Sequence, residues 1–217
     1  MKAKAQSLQH EANQILERLP LTVRHAILLA DDLGYKYLWA DVLCIVHEGP
    51  ATLVDQLNKM SAIYASAVMT IVAANGDGAD GIFGLHGIST ARDSPQAAFA
   101  IRDEHLVVTN TEKIDATDDR VDYNRRGWTY QEYIMSPRKL VFINQRAYWV
   151  CQCCRRFESD ARDMDRGNGE IFNPSHLIRS GTPDLDQLSK VMSWYNVRNL
   201  TYPGDSITRY IWATRSS

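Results

Sequence analysis

Two short apolar runs, Leu38 to Val46 and Val68 to Ala74, are separated by about one amphipathic helix of chain. That spacing constrains the fold more than any other feature of the sequence. A run of four to eight aliphatic and aromatic residues reads as a strand covered on both faces, as in parallel sheets. Gly49-Pro50 breaks the first run, and Pro50 suits the first turn of a helix reaching about Ala67, with Leu53, Leu57, Met60 and Tyr64 on one face. Two strands joined by such a helix are expected to lie parallel with a right-handed crossover. The predicted class is therefore α/β, a central, largely parallel sheet flanked by helices. Asp41 stands in the middle of the first run. A carboxylate leaves water only when it is hydrogen-bonded or paired, so Asp41 either caps backbone at a sheet edge or faces a site.

The flanking chain adds helices and a hairpin. Leu8, Ala12, Ile15, Leu16 and Leu19 fall at helical spacing before Pro20, giving an N-terminal helical extension over residues 1–18. Thr22 is placed to cap a helix from Val23 to Leu33, with Gly34 in the left-handed position after it. Residues 75–87 hold five glycines, but their spacing fits neither a dinucleotide nor a P-loop pattern, so a flexible loop is expected there, with Phe83 and Leu85 tucked into the core. A strand is expected within Phe99 to Val108, and an exposed polar stretch from Asn110 to Arg125. Thr129 with Glu132 three positions on forms a capping-box pattern, stopped by Pro137. Leu140 to Ile143, Asn144-Gln145, then Ala147 to Cys151 read as a β-hairpin. Residues 159–217 are expected to form a mobile linker and a C-terminal helical segment ending near Leu200, beside a core over 19–158.

Composition excludes several functions. A formal charge of -2 carries no footprint of a nucleic-acid binder. No apolar run approaches the ~20 residues needed to span a bilayer, and no signal-peptide core precedes the first helix. Cys44 and the cluster Cys151, Cys153, Cys154 make no disulfide framework, which points to a reduced, cytoplasmic setting. With His176 or Cys44 the cluster has enough thiolates for zinc but lacks the second separated ligand pair, so no metal is expected. Cys44 reads as a small core residue, since His47 falls on the opposite face of a strand. Asp41 and Glu132 are the more informative acids. Trp39 precedes the first by two residues and Trp128 precedes the second by four, with Arg125 and Arg126 close by. Such a set either lines a crevice at the carboxyl ends of the strands or serves the helix cap and surface.

Read together, these blocks resemble the fungal heterokaryon incompatibility (HET) domain. Tyr37-Leu38-Trp39-Ala40-Asp41-Val42-Leu43-Cys44-Ile45 is similar to its "LW-D-LCI-Q" signature, and Leu19-Pro20, Ala26-Ile27 and Leu33-Gly34 to the preceding lead-in. Met60, Ile63, Tyr64 and Ala67 running into Thr70 to Ala74 resemble "M-IY-NA-LTI-A", and Gly81-Ile82-Phe83-Gly84 resembles "GLFG". Arg126 to Glu132 with Ser136-Pro137-Arg138 is similar to "RGWT-QE…SPR", and Trp194, Tyr195, Arg198, Leu200, Thr201 and Asp205 to the closing block. The likeness runs from about Leu19 to Asp205. It departs at His47, where the family has glutamine, and ahead of Leu19, where nothing resembles the family's "SY-WG" strand. A truncated, inactive copy is therefore one expectation.

The resemblance implies an effector of non-self recognition and programmed cell death in filamentous fungi, acting through protein partners or self-association. It also implies a distant likeness to TIR domains, some of which cleave NAD as a substrate with a glutamate in their crevice. On that analogy no cofactor is needed. Glu132 is then the catalytic acid, Asp41 and Trp128 orient it, Arg126 meets phosphate and Trp39 contacts substrate.

Overall fold

The structure is a computed structural model that describes residues 14–45, 49–93, 98–101, 104–107, 121–151, 155–158 and five positions between 189 and 198. Its centre is a four-stranded mixed, open sheet. The strands are β1 (Thr70–Ala73), β4 (Arg138–Ile143), β5 (Arg146–Cys151) and β6 (Arg155–Phe157), lying side by side in that order. β1 and β4 are parallel, with Thr70 opposite Lys139 and Ala73 opposite Phe142. β4–β5 and β5–β6 are antiparallel. The sheet is thus mixed rather than largely parallel. The hairpin is where the sequence places it. Asn144 and Gln145 both take positive φ, 46° and 59°, the backbone a two-residue turn needs to match the twist of its strands. A separate antiparallel pair, β2 (Ala98–Ile101) and β3 (Glu104–Val107), occupies the region read as one strand.

The period of two along each strand sorts the core into two layers. Val72, Val141, Ile143, Tyr148 and Val150 face one side and pack with Val121 and Tyr123. Ile71, Ala73, Leu140 and Phe142 face the other, against Leu29, Ile82 and Leu85. Helices α1 (Leu21–Asp32), α2 (Asp41–Cys44), α3 (Pro50–Ser66), α4 (Asp122–Arg125) and α5 (Gly127–Met135) complete the α/β arrangement. α1 ends as its sequence predicts. Gly34 has φ of 78°, its N–H bonds Asp31 O at 2.8 Å, and the Tyr35 N–H bonds Ala30 O at 2.8 Å, a Schellman closure.

Several expectations fail for identifiable reasons. Leu38 to Val46 forms no strand among the described residues: 37–40 is irregular, Asp41–Cys44 is one helical turn, and 46–48 lie outside the described residues. Asp41 occupies the first helical turn, where its carboxylate accepts the Val42 N–H at 2.7 Å, an arrangement favoured at helix N-termini and unavailable in a strand interior. The strand–helix–strand unit therefore does not form, and β1 finds its parallel partner in β4. Val42, Leu43 and Cys44 are exposed, so Cys44 is not a core thiol. Phe83 is 38% exposed, whereas Leu85 is buried as expected. Asp122–Arg125 is helical, with Tyr123 and Asn124 buried rather than exposed. The helix at 14–18 agrees with the pattern, while residues 1–13 and nearly all of 159–217 lie outside the described residues.

Candidate functional site

A cavity of about 470 Å³ lies between the chain that follows α1, the end of α3 and the edge strand β1. Its lining includes Trp39, Asp41, Tyr64, Thr70, Ile71 and Glu132. The two acids that the sequence singles out, 91 positions apart, thus share one concavity. Trp39 also lines it, meeting the Tyr64 ring edge-on at 5.5 Å and 79°. Trp128 and Arg126 do not line the cavity. Trp128 sits one turn before Glu132 on α5, and Arg126 is exposed at the helix start.

Glu132 is carried by α5 with its side chain drawn out of solvent. Burial first, and the Asp41 carboxylate second, push its carboxyl up to about 7; Arg126, the Tyr64 hydroxyl and Arg198 act in the opposite sense. The same burial, with the negative charges of Glu132 and Asp41, holds Tyr64 well above the usual phenol range, so Tyr64 is a hydrogen-bond donor to Glu132 at any physiological pH. The capping box does not form. α5 begins at Gly127, and Thr129 lies inside its first turn, its one hydroxyl proton shared between the Arg126 carbonyl at 2.8 Å and Tyr123 O. Glu132 is thereby free of the cap and directed at the cavity.

Two buried groups fasten the helix that carries this carboxylate. The Arg198 guanidinium, 4.8 Å from the Tyr130 ring centre, donates to Thr129 Oγ1 at 2.9 Å and to Arg126 O at 3.1 Å, tying the start of α5 to a distant part of the chain. Ser136, fully buried, donates its hydroxyl to the Glu132 carbonyl at 2.6 Å. Its oxygen lies 2.7 Å from Thr70 Oγ1. A hydroxyl has one proton, so Thr70 is the donor in that second bond. Sequence reasoning missed Tyr64 as a site residue by assigning it to the core stripe of its helix. The available signal was its hydroxyl, since a buried tyrosine requires a polar partner. Arg198 was legible only as one letter of the closing block.

The glycine-rich loop is built for packing. Thr22 does not cap α1: Pro20 takes that position, and the Thr22 hydroxyl instead bridges Asp77 O and the Gly81 N–H, each at 3.1 Å. The Ile82 N–H bonds His25 Nδ1 at 2.9 Å, and burial lowers the affinity of that imidazole for a proton. Gly81, at φ 78°, would bring any added Cβ within 2.8 Å of the His25 ring. The Gly76 and Asp77 amides are taken by the Asp122 and Asp80 carboxylates, at 3.1 and 2.7 Å, and so are not offered to a phosphate. Cys153, Cys154 and His176 lie outside the described residues. Among the described residues no group of three or more His, Cys, Asp or Glu is disposed to hold a metal ion, and no helix is long and apolar enough to cross a membrane.

No curated protein and no solved structure matches the chain. A family model does: that of the heterokaryon incompatibility protein (HET), over residues 2–132. The matched span exceeds half the chain and contains all of the cavity lining named above, ending on Glu132 itself. By that match the chain belongs to the heterokaryon incompatibility (HET) family.

Proposed function

We propose that the chain is an effector or signalling domain of heterokaryon incompatibility in a filamentous fungus. In this reading it acts in the cytoplasm to trigger cell death on contact with non-self, by hydrolysing NAD in the cavity around Glu132. The observation that carries the chemistry is one acid, Glu132, held half-buried in a cavity beside a second acid and a tyrosine. Perturbed carboxylates in concave sites are the usual mark of acid–base or electrostatic catalysis.

The reaction asks little more of the protein. The C1′–N bond of the nicotinamide riboside breaks with its electron pair passing to the ring, which leaves as neutral nicotinamide. The ribose is left as an oxocarbenium ion, which the Glu132 carboxylate stabilises from within a poorly hydrated site. Water adds at C1′ and loses one proton, giving ADP-ribose, nicotinamide and H⁺. Tyr64 fixes the carboxylate by its hydrogen bond, Asp41 adds negative potential, and Trp39 supplies an aromatic wall. Trp128 sets the helix turn behind Glu132, and Arg126 offers a guanidinium to a phosphate outside the cavity.

Incubation of the purified chain with NAD, followed by chromatography for nicotinamide, tests this. Steady release is expected, falling at least about 100-fold in Glu132→Gln with the thermal midpoint not lowered, in line with the loss of one preorganised electrostatic group. Folded protein that releases no nicotinamide excludes the reaction. A second reading, signalling by protein contact or self-association, is favoured by the exposure of Tyr37 (92%), Val42 (56%) and Leu43 (45%) on one continuous segment. Sedimentation of the chain as a monomer at all concentrations, with fungal toxicity intact in Val42→Asp/Leu43→Asp, would remove it.

A further inference from the structure

Tyr35, Tyr37, Trp39 and Tyr64 are among the residues that line the cavity with Asp41 and Glu132, the first two at its exposed side. Trp39 and Tyr64 meet edge to face, with their planes at 79°. A ring face carries negative quadrupole density and attracts a cation most strongly where water is excluded. The acids reinforce this. Among the described residues neither Asp41 nor Glu132 is in a salt bridge. Arg126 and Arg198, which favour the Glu132 carboxylate, are not part of the lining, and the one lysine that is, Lys36, is exposed. The cavity therefore brings two carboxylates together with aromatic residues, and its volume falls in the range of small-molecule sites, roughly 300–1,000 Å³.

We infer that this cavity is a receptor for a flat organic cation, a pyridinium ring of fixed positive charge, and that it selects its ligand by that charge. The inference rests on the NAD reading only for the choice of a pyridinium; the preference for positive charge stands on the cavity itself. It separates the oxidised nicotinamide ring, which is cationic, from the reduced ring, which is neutral. It also couples to protons. The groups acting on Glu132 are Asp41 from α2, Tyr64 from α3, and Arg126 and Arg198 around the start of α5. A cation entering among them favours the ionised carboxyl, so binding releases protons near neutrality and tightens as pH rises from 6 to 8.

Calorimetric titration of the intact chain with the 1-methylnicotinamide cation and with neutral nicotinamide decides the matter, because neither can be hydrolysed. The cation is expected to bind at least tenfold tighter. Asp41→Asn and Glu132→Gln should each reduce that ratio at least threefold. Asp41 is exposed, so its variant tests the charge without disturbing the core. Equal affinities, a ratio unchanged in both carboxylate variants, or no binding of either compound to folded protein would each overturn the inference. Cation binding without NAD hydrolysis removes the proposed reaction and leaves this receptor standing. Hydrolysis with no preference between the two compounds does the reverse.

Discussion

The β4–β5 hairpin and the segment from Tyr35 to Ile45 are both rich in large apolar residues, yet they end in opposite states. In the hairpin each residue of Arg138–Ile143 faces one of Arg146–Cys151, and Val141, Tyr148 and Val150 are at most 2% exposed. In the segment, no residue belongs to a strand, and Tyr37 is 92% exposed. The difference lies in where the backbone finds its partners. A tight turn gives each hairpin strand a ladder within a few residues, so apolar side chains and satisfied amides are acquired together. The segment has no such neighbour. Its amides from Leu43 to Ile45 bond to Ala40 and Asp41 in a single helical turn, with the Asp41 carboxylate on the Val42 amide. Hydrophobicity supplies a reason to be buried, and the hydrogen-bond register decides whether burial occurs.

The strongest test of that contrast removes Phe142, which packs against Leu29, Ile82 and Leu85 and whose carbonyl accepts the Ala74 N–H at 2.9 Å. Phe142→Ala should cost about 3–5 kcal/mol in urea unfolding, a large part of a total near 5–15 kcal/mol. A loss below about 1 kcal/mol would mean that the sheet is not the stabilising half.

A smaller effect, of opposite sign in the two regions, is expected with pH. Glu132 titrates near 7 when folded against an ordinary value near 4.5, so between those values the folded state holds the extra proton. Stability should therefore fall as pH rises through that window, by about 3 kcal/mol. Lys139, buried in the sheet with its ammonium on Ser136 O at 2.7 Å and over the Tyr133 ring, is pushed down to about 8 by that burial and, next, by Arg155. There the unfolded chain holds the extra proton, and stability should rise from pH 8 towards 10. Thermal melts across both windows check the two slopes. Glu132→Gln should flatten only the first and Lys139→Met only the second. If either variant flattens both slopes, the two regions are one electrostatic unit.

The smallest effect belongs to the segment itself. Val42→Ser should change unfolding free energy by no more than about 0.5 kcal/mol. A larger loss would show that the segment is packed in solution, and would close the contrast from the other side.

The same contrast explains what could be read from the chain. The helix from Pro50, the hairpin turn at Asn144-Gln145 and the glycine closure at Gly34 are local events, each determined by a few adjacent residues, and each forms as written. The meeting of Asp41 with Glu132 was legible as a pairing of unusual acids, although the local role read for each differs from the one it takes. Asp41 reads as a strand residue and lies in a helical turn; Glu132 lies in a helix as its sequence predicts, but that helix starts at Gly127 and leaves it out of the cap. The parallel partners of β1 are 69 residues further on, beyond any local pattern. Arg198 acts on α5 over a comparable distance, in part through main-chain carbonyls that any sequence would provide.

The hydroxyl pair Thr70–Ser136 gives the cavity a fixed rear and an adaptable front. One short relay runs from the threonine to the serine and on to the carbonyl of Glu132, fastening the cavity floor to the helix that bears the acid. Mutational drift at the exposed lining residues Tyr35 and Tyr37 can therefore reshape what enters without moving the acid. Loss of the serine hydroxyl would strand a buried threonine proton and unfasten the helix, so lineages should be able to vary the doorway while keeping that rivet.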